Sequence, residues 1–198
     1  MEGERRSIQP VPDAYDVRIG PLADDELTAE QADLLGGVRV PGNATVNIFT
    51  TLVRHPGLFR KWLPLGGKLL GGKLPDRDRE LMILRTGWLC EAAYEWAQHV
   101  PIARRAGVTP EEVEAIASGP DDPSWSPEDA ALVRAVDELH DDGVISDATW
   151  ASLAARYDEK QLIEVPMLIG HYHMVAFTLN SLGTPIESSA DTDAGADA

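Results

Sequence analysis

The stretch 162–179, LIEVPMLIGHYHMVAFTL, is apolar on almost every face it would show as a helix. A helix without a polar face has no side to turn to water, so it is expected at the centre of the fold. Pro166 is expected to kink it. Glu164, His171 and His173 interrupt the run, so no apolar stretch reaches about 18 residues without a polar break and no membrane span is expected.

The remainder reads as further helices, each with its own start signal. Thr28-Ala29-Glu30-Gln31 is a capping box whose helix ends before Gly36-Gly37. Asn47 to Arg54 is a second helix, stopped by His55-Pro56. Leu58 to Leu70 is a third, weakened by Pro64 and Gly66-Gly67. Asp76 caps a fourth that runs to about Leu89, and a fifth runs from about Glu91 to Arg105. Thr109-Pro110-Glu111-Glu112 and Ser126-Pro127-Glu128-Asp129 start the sixth and seventh, the latter reaching about His140. Ser146 or Asp147 begins an eighth, and Asp158 with Gln161 opens the ninth, which reaches about Ser181. No segment alternates apolar and polar over six residues with β-branched enrichment, so the fold class is all-α. Arg79–Leu84 and Lys160–Val165 both open long apolar helices followed by a histidine-containing stretch, which would suit a duplicated helical unit. Residues 1–22 read as an extended arm whose Tyr15, Val17, Ile19 and Leu22 can lie along a surface. Residues 23–185 read as a single helical domain, and 186–198 as a disordered acidic tail.

Charge limits the partners. The chain of 198 residues carries a formal charge of -16, which disfavours nucleic acid and anionic membrane surfaces because both need a surplus of Lys and Arg. Cys90 is the single cysteine, so neither an internal disulfide nor a CxxC redox pair can form. The N-terminus has no apolar core of a signal peptide. A cytoplasmic location is the expectation.

Chemistry-bearing side chains concentrate in residues 80–99. Glu95 and His99 stand four apart and share a helix face, where a carboxylate can orient an imidazole for proton transfer or simply form a surface pair. Glu80 lies among apolar neighbours on the preceding helix and is expected to meet that pair in a mostly apolar pocket; the alternative is a carboxylate held at the rim by Arg79 or Arg85. Arg85, Cys90, Tyr94, Trp96, His171 and His173 are secondary candidates. His171 and His173 are two apart and point to different faces, so one of them can turn towards the site. Glu95, His99 and one of these histidines are the candidate metal ligands, but no metal and no cofactor are expected. The glycine pairs around Lys68 lack the GxxxxGK[ST] pattern of a phosphate loop.

At these residues the chain resembles the carboxymuconolactone decarboxylase family, which includes the alkylhydroperoxidase D-like proteins. The resemblance is carried by PDRDRELMILRTGWLCEAAYEWAQHVPIARRAGVTPEEVEAI and extends over about Pro41 to Ser118. The family's peroxidase branch has a Glu, then CxxC, then a His nineteen residues after the Glu. Glu80 and His99 have that separation, but Ala92 and Glu95 stand at the cysteine positions. The form Glu95-Trp96-Ala97-Gln98-His99 is similar to the branch without the thiol pair, which contains the decarboxylases.

The resemblance implies an all-helical fold of about nine helices that assembles as a homo-oligomer (dimer, trimer or hexamer). It also implies a cofactor-independent lyase or isomerase acting on a small carboxylated lactone or related enol-forming acid. His99 would then be the general acid/base, Glu95 would orient it, and Glu80 would hold or relay the proton. Two other readings stand beside this one: an alkylhydroperoxidase-type peroxidase using Cys90, and a non-catalytic, ligand-binding oligomer of the same fold.

Overall fold

Ten consecutive residues of one helix, Asp78–Gly87, are buried although four of them carry charge. The computed structural model describes residues 15–38 and 46–187. Among these, the helices are α1 (Ala29–Gly36), α2 (Asn47–Leu52), α3 (Pro56–Leu70), α4 (Asp76–Leu89), α5 (Ala93–Arg105), α6 (Pro110–Ser118), α7 (Pro127–Asp141), α8 (Asp147–Ala154) and α9 (Glu159–Leu182), with no strand. The described residues fall into two compact units, 69–177 and 15–68 with 178–187.

In the first unit α4 is the centre, packed on α5, α6 and α7. Its Leu81, Met82, Ile83 and Leu84 are fully buried, each contributing roughly 1.5–3 kcal/mol. Its charged residues are buried because each finds a partner. Asp78 accepts from both Arg156 and the Tyr157 hydroxyl, at 2.7 and 2.6 Å. Arg85 grips Asp137 of α7 at 2.6 and 2.9 Å and donates to the Ile116 carbonyl near the end of α6. At the exposed start of the helix Arg77 bridges Asp129 and Glu112. Burial alone would raise the Asp129 carboxyl, but the hydrogen bonds and charge of Arg77 outweigh it and hold it below its usual value.

The expectation that the ninth helix is central is corrected. Helix α9 buries Leu162, Val165, Leu168, Ile169, Tyr172, Val175 and Ala176 but leaves Ile163, Met167, Met174 and Phe177 exposed along one side. It is long and apolar enough to cross a membrane by length and composition, and 44% of its most apolar window is buried within the fold. The all-round apolar pattern of α9 reads as core, whereas one side of it is exposed.

Helix α4 ends in a way that fixes the start of α5. The Glu91 N–H donates to the Trp88 carbonyl, the Ala92 N–H to Gly87, and Glu91 has φ +50°. This is a Schellman turn with a glutamate where glycine is usual. The left-handed residue delays α5 to Ala93, two residues later than expected from sequence.

The second unit has its own core of Leu35, Val53 and Phe59, flanked by Phe49 and Trp62. Pro64 and Gly66-Gly67 do not interrupt α3, whereas α2 ends at Leu52 rather than Arg54. The described part of the arm is extended here: the Arg18 and Ile19 N–H groups both donate to the Leu182 carbonyl at the end of α9. Gly183, at φ +66°, lies so close to the Asp16 backbone that a Cβ would collide with it. Glu187 accepts the Asn47 N–H at 2.7 Å at the start of α2. Residues 1–14 of the arm and 188–198 of the tail lie outside the described residues.

Candidate functional site

Glu80 has no solvent exposure and two hydrogen-bond partners. Its Oε2 lies 2.8 Å from His99 Nδ1, and its Oε1 accepts from Arg79 Nε at 3.2 Å. Arg79 is in turn held by Asp76 and the Leu70 carbonyl. The pairing follows from local structure. Glu80 sits one turn into α4 and His99 near the middle of α5, and the two helices pack side by side. A carboxylate can only accept, so the contact places a proton on Nδ1 and leaves Nε2 available. The edge of the ring meets Tyr172 of α9, with centroids 5.1 Å apart and planes at 87°. His99 therefore has one nitrogen committed and its ring fixed between two helices.

Glu95 is placed differently from the role expected for it. It is 3% exposed, and neither carboxylate oxygen has a hydrogen-bond partner. It does not orient His99; Glu80 does. Burial raises the Glu95 carboxyl well above its usual value. Helix sharing brings Glu95 and His99 to one face, but the hydrogen bond runs to Glu80.

The secondary residues separate into those near the pair and those engaged elsewhere. Arg85 is committed to Asp137 and Ile116, so it does not supply a free guanidinium for an acid substrate. Trp96 is buried against Trp88, with centroids 5.6 Å apart, and Tyr94 is buried beside it in sequence. Burial, with Glu95 next, pushes the Cys90 thiol up to about 12, the opposite of an activated thiolate. Of the two α9 histidines, His171 is buried against Tyr172 and His173 faces His140. The aromatic residue between them, Tyr172, is what reaches His99. Sequence reasoning missed it, although a lone phenol in so apolar a helix is a signal. Burial, with Glu95 and then Glu80 adding, raises that phenol well above its usual value.

A cleft of about 660 Å³ lies in the second unit, lined by residues that include Arg18, Thr51, Arg54, His55 and Leu58. None of the residues proposed from sequence lines it.

The comparisons with known proteins agree on fold. The model of the carboxymuconolactone decarboxylase family matches residues 56–138. No curated protein sequence matches the chain. Among solved structures the chain is similar to an uncharacterized peroxidase-related protein from Ralstonia eutropha, described as an alkylhydroperoxidase AhpD core. The TM-score is 0.73 at 16% identity, over 86% of this chain and 93% of that one. It is also similar to the debrominase Bmp8 in complex with 2,3,4-tribromopyrrole, with a TM-score of 0.69 at 18% identity over 92% and 97% of the two chains. A third similar structure is an uncharacterized peroxidase-related protein from a Silicibacter species, with a TM-score of 0.67 at 11% identity over 94% and 96%. Identities this low carry the fold and no activity. The all-helical architecture and the matched segment agree: residues 56–138 are similar to the carboxymuconolactone decarboxylase family, and the chain has the AhpD-like fold.

Proposed function

We propose that the protein is a cofactor-independent lyase or isomerase that moves a proton on a small carboxylated lactone or related enol-forming acid. The observation that carries this reading is the 2.8 Å contact between fully buried Glu80 and His99. A carboxylate on Nδ1 fixes the ring and leaves Nε2 as the exchanging atom. In decarboxylation the bond from the ring carbon to the carboxylate breaks, its electron pair stays on the lactone as a dienolate, and CO₂ leaves. His99 Nε2, once protonated by hydronium or a buffer acid, delivers that proton to the dienolate and returns to the tautomer with hydrogen on Nδ1 alone. Glu95, its carboxyl raised by burial, is a second acid of different strength in the same region, as acid-base sites require.

The peroxidase reading has less support. It needs a thiolate and a resolving thiol, and the chain has one cysteine whose thiol is pushed up to about 12. The exposed side of α9 supports assembly. Ile163, Met167, Met174 and Phe177 form an apolar stripe with Gly170 in its middle, suited to close approach of the same helix in a second copy.

Three measurements test this reading. Against a panel of carboxylated lactones, His99→Ala is expected to lower turnover by about 10²-fold or more, and Glu80→Gln by at least about 10-fold. Wild-type activity in both variants, or hydroperoxide turnover with a thiol reductant that vanishes in Cys90→Ser, would overturn it. Light scattering is expected to give at least twice the chain mass of 21.5 kDa; a monomer at all concentrations contradicts the assembly. The third concerns Glu95. The native state keeps a proton that the unfolded chain releases near pH 4.3, so this residue costs stability as pH rises above that value. The slope is up to about 1.4 kcal/mol per pH unit until the raised native pKa is reached. Glu95→Gln removes that slope, so in urea unfolding the variant should gain on wild type as pH rises from about 4.3 towards the raised native pKa. A stability difference that stays constant as pH rises above about 4.3 refutes the raised carboxyl.

A further inference from the structure

Away from the Glu80–His99 pair, three ligand-type side chains from three helices converge. Cys90 is the C-cap residue of α4, His140 lies in the last turn of α7, and His173 is in α9. One ligand atom from each lies within 4.8 Å of the other two. His140 Nδ1 and His173 Nε2 are 3.0 Å apart. From the Cys90, His140 and His173 cluster we infer a zinc-class metal site with three protein ligands and a fourth position open to solvent or a small ligand.

The second observation is how His173 is oriented. Its Nδ1 lies 2.8 Å from the Ile169 carbonyl, which can only accept, so Nδ1 carries the hydrogen. The lone pair is thereby placed on Nε2, which faces His140 Nδ1 and accepts its hydrogen, the hydrogen that a bound ion would displace. A backbone carbonyl fixing the outer nitrogen is the support that metal-binding histidines ordinarily have. Phe177 packs edge-on against the same ring, with centroids 5.8 Å apart.

Donor chemistry selects the ion. One thiolate and two imidazoles suit zinc and its neighbours and not magnesium or calcium, which take oxygen ligands. Zn–S and Zn–N bonds of about 2.3 and 2.1 Å place tetrahedral ligands about 3.3–3.6 Å apart, so the cluster needs side-chain adjustments of about 1 Å to close. Cys90 and His173 are half-buried and His140 is exposed, which gives the ion a path in and leaves its outer face uncovered. The sequence reading expected no metal and weighed Glu95, His99 and one of His171 and His173 as ligands; of these the cluster uses only His173.

The test is cobalt substitution of the full chain after stripping with a chelator. Cobalt is expected to saturate at one equivalent with a thiolate-to-cobalt charge-transfer band, and zinc to displace it. Cys90→Ser should abolish the band, and His140→Ala should weaken zinc binding by about 100-fold or more. His99→Ala should keep the band. Far-ultraviolet circular dichroism of the metal-free variants checks that they fold, and exposed His140 gives a variant that disturbs no core. No thiolate band, equal zinc affinity in wild type and His140→Ala, or loss of the band in His99→Ala would overturn the site.

Discussion

A buried helix cannot keep a charge without a partner, and α4 carries four buried ones. Leaving such a group uncompensated costs several kcal/mol, far more than an exposed ion pair returns. Each buried or half-buried charge of α4 is therefore also a positional constraint. Arg77 draws in α6 and α7, Asp78 holds the loop before α9, Glu80 meets α5, and Arg85 fixes α7 and the end of α6. The apolar residues between them supply the burial, and the charges choose which helix lies against which side.

The candidate site is one member of this set. Glu80 differs from Asp78 and Arg85 because its partner is titratable. Asp78 meets a guanidinium and a phenol, and Arg85 meets a carboxylate and a carbonyl, so those contacts have no proton to give up near neutral pH. The imidazole of His99 keeps a second nitrogen through which a proton can be exchanged. The same architectural device that holds the bundle together thus delivers a histidine with one nitrogen fixed and the other free. Tyr172 closes the ring from the α9 side, so a change in α9 would be felt at His99.

Much of this was legible in the sequence. The capping residues Thr28, Thr109, Ser126 and Ser146 act where their patterns place them, because a cap is a local interaction between residues three apart. The Glu80 and His99 spacing carried the family resemblance. What was not legible depends on distant partners. Arg85 stood among the secondary site candidates because Asp137, 52 residues away, could not be seen. Glu95 looked like the group that orients His99 because i,i+4 spacing shows a shared face and not a hydrogen bond. Helix α9 looked central because an all-round apolar pattern does not say whether its last side meets this chain or another surface. His140 was not among the site candidates because it belongs to no local motif, and nothing in the sequence pairs it with His173, 33 residues away.

The central claim is that Glu80 holds His99 in one tautomer, with hydrogen on Nδ1 and a free Nε2. Nitrogen NMR of imidazole-labelled protein at a pH where His99 is neutral reads this directly, with Glu80→Gln identifying the resonance. The account predicts a protonated Nδ1 in a strong hydrogen bond and an unprotonated Nε2, with the Nδ1 signal shifted when Glu80 is replaced. A His99 ring protonated at Nε2, or an Nδ1 signal indifferent to Glu80, would contradict it.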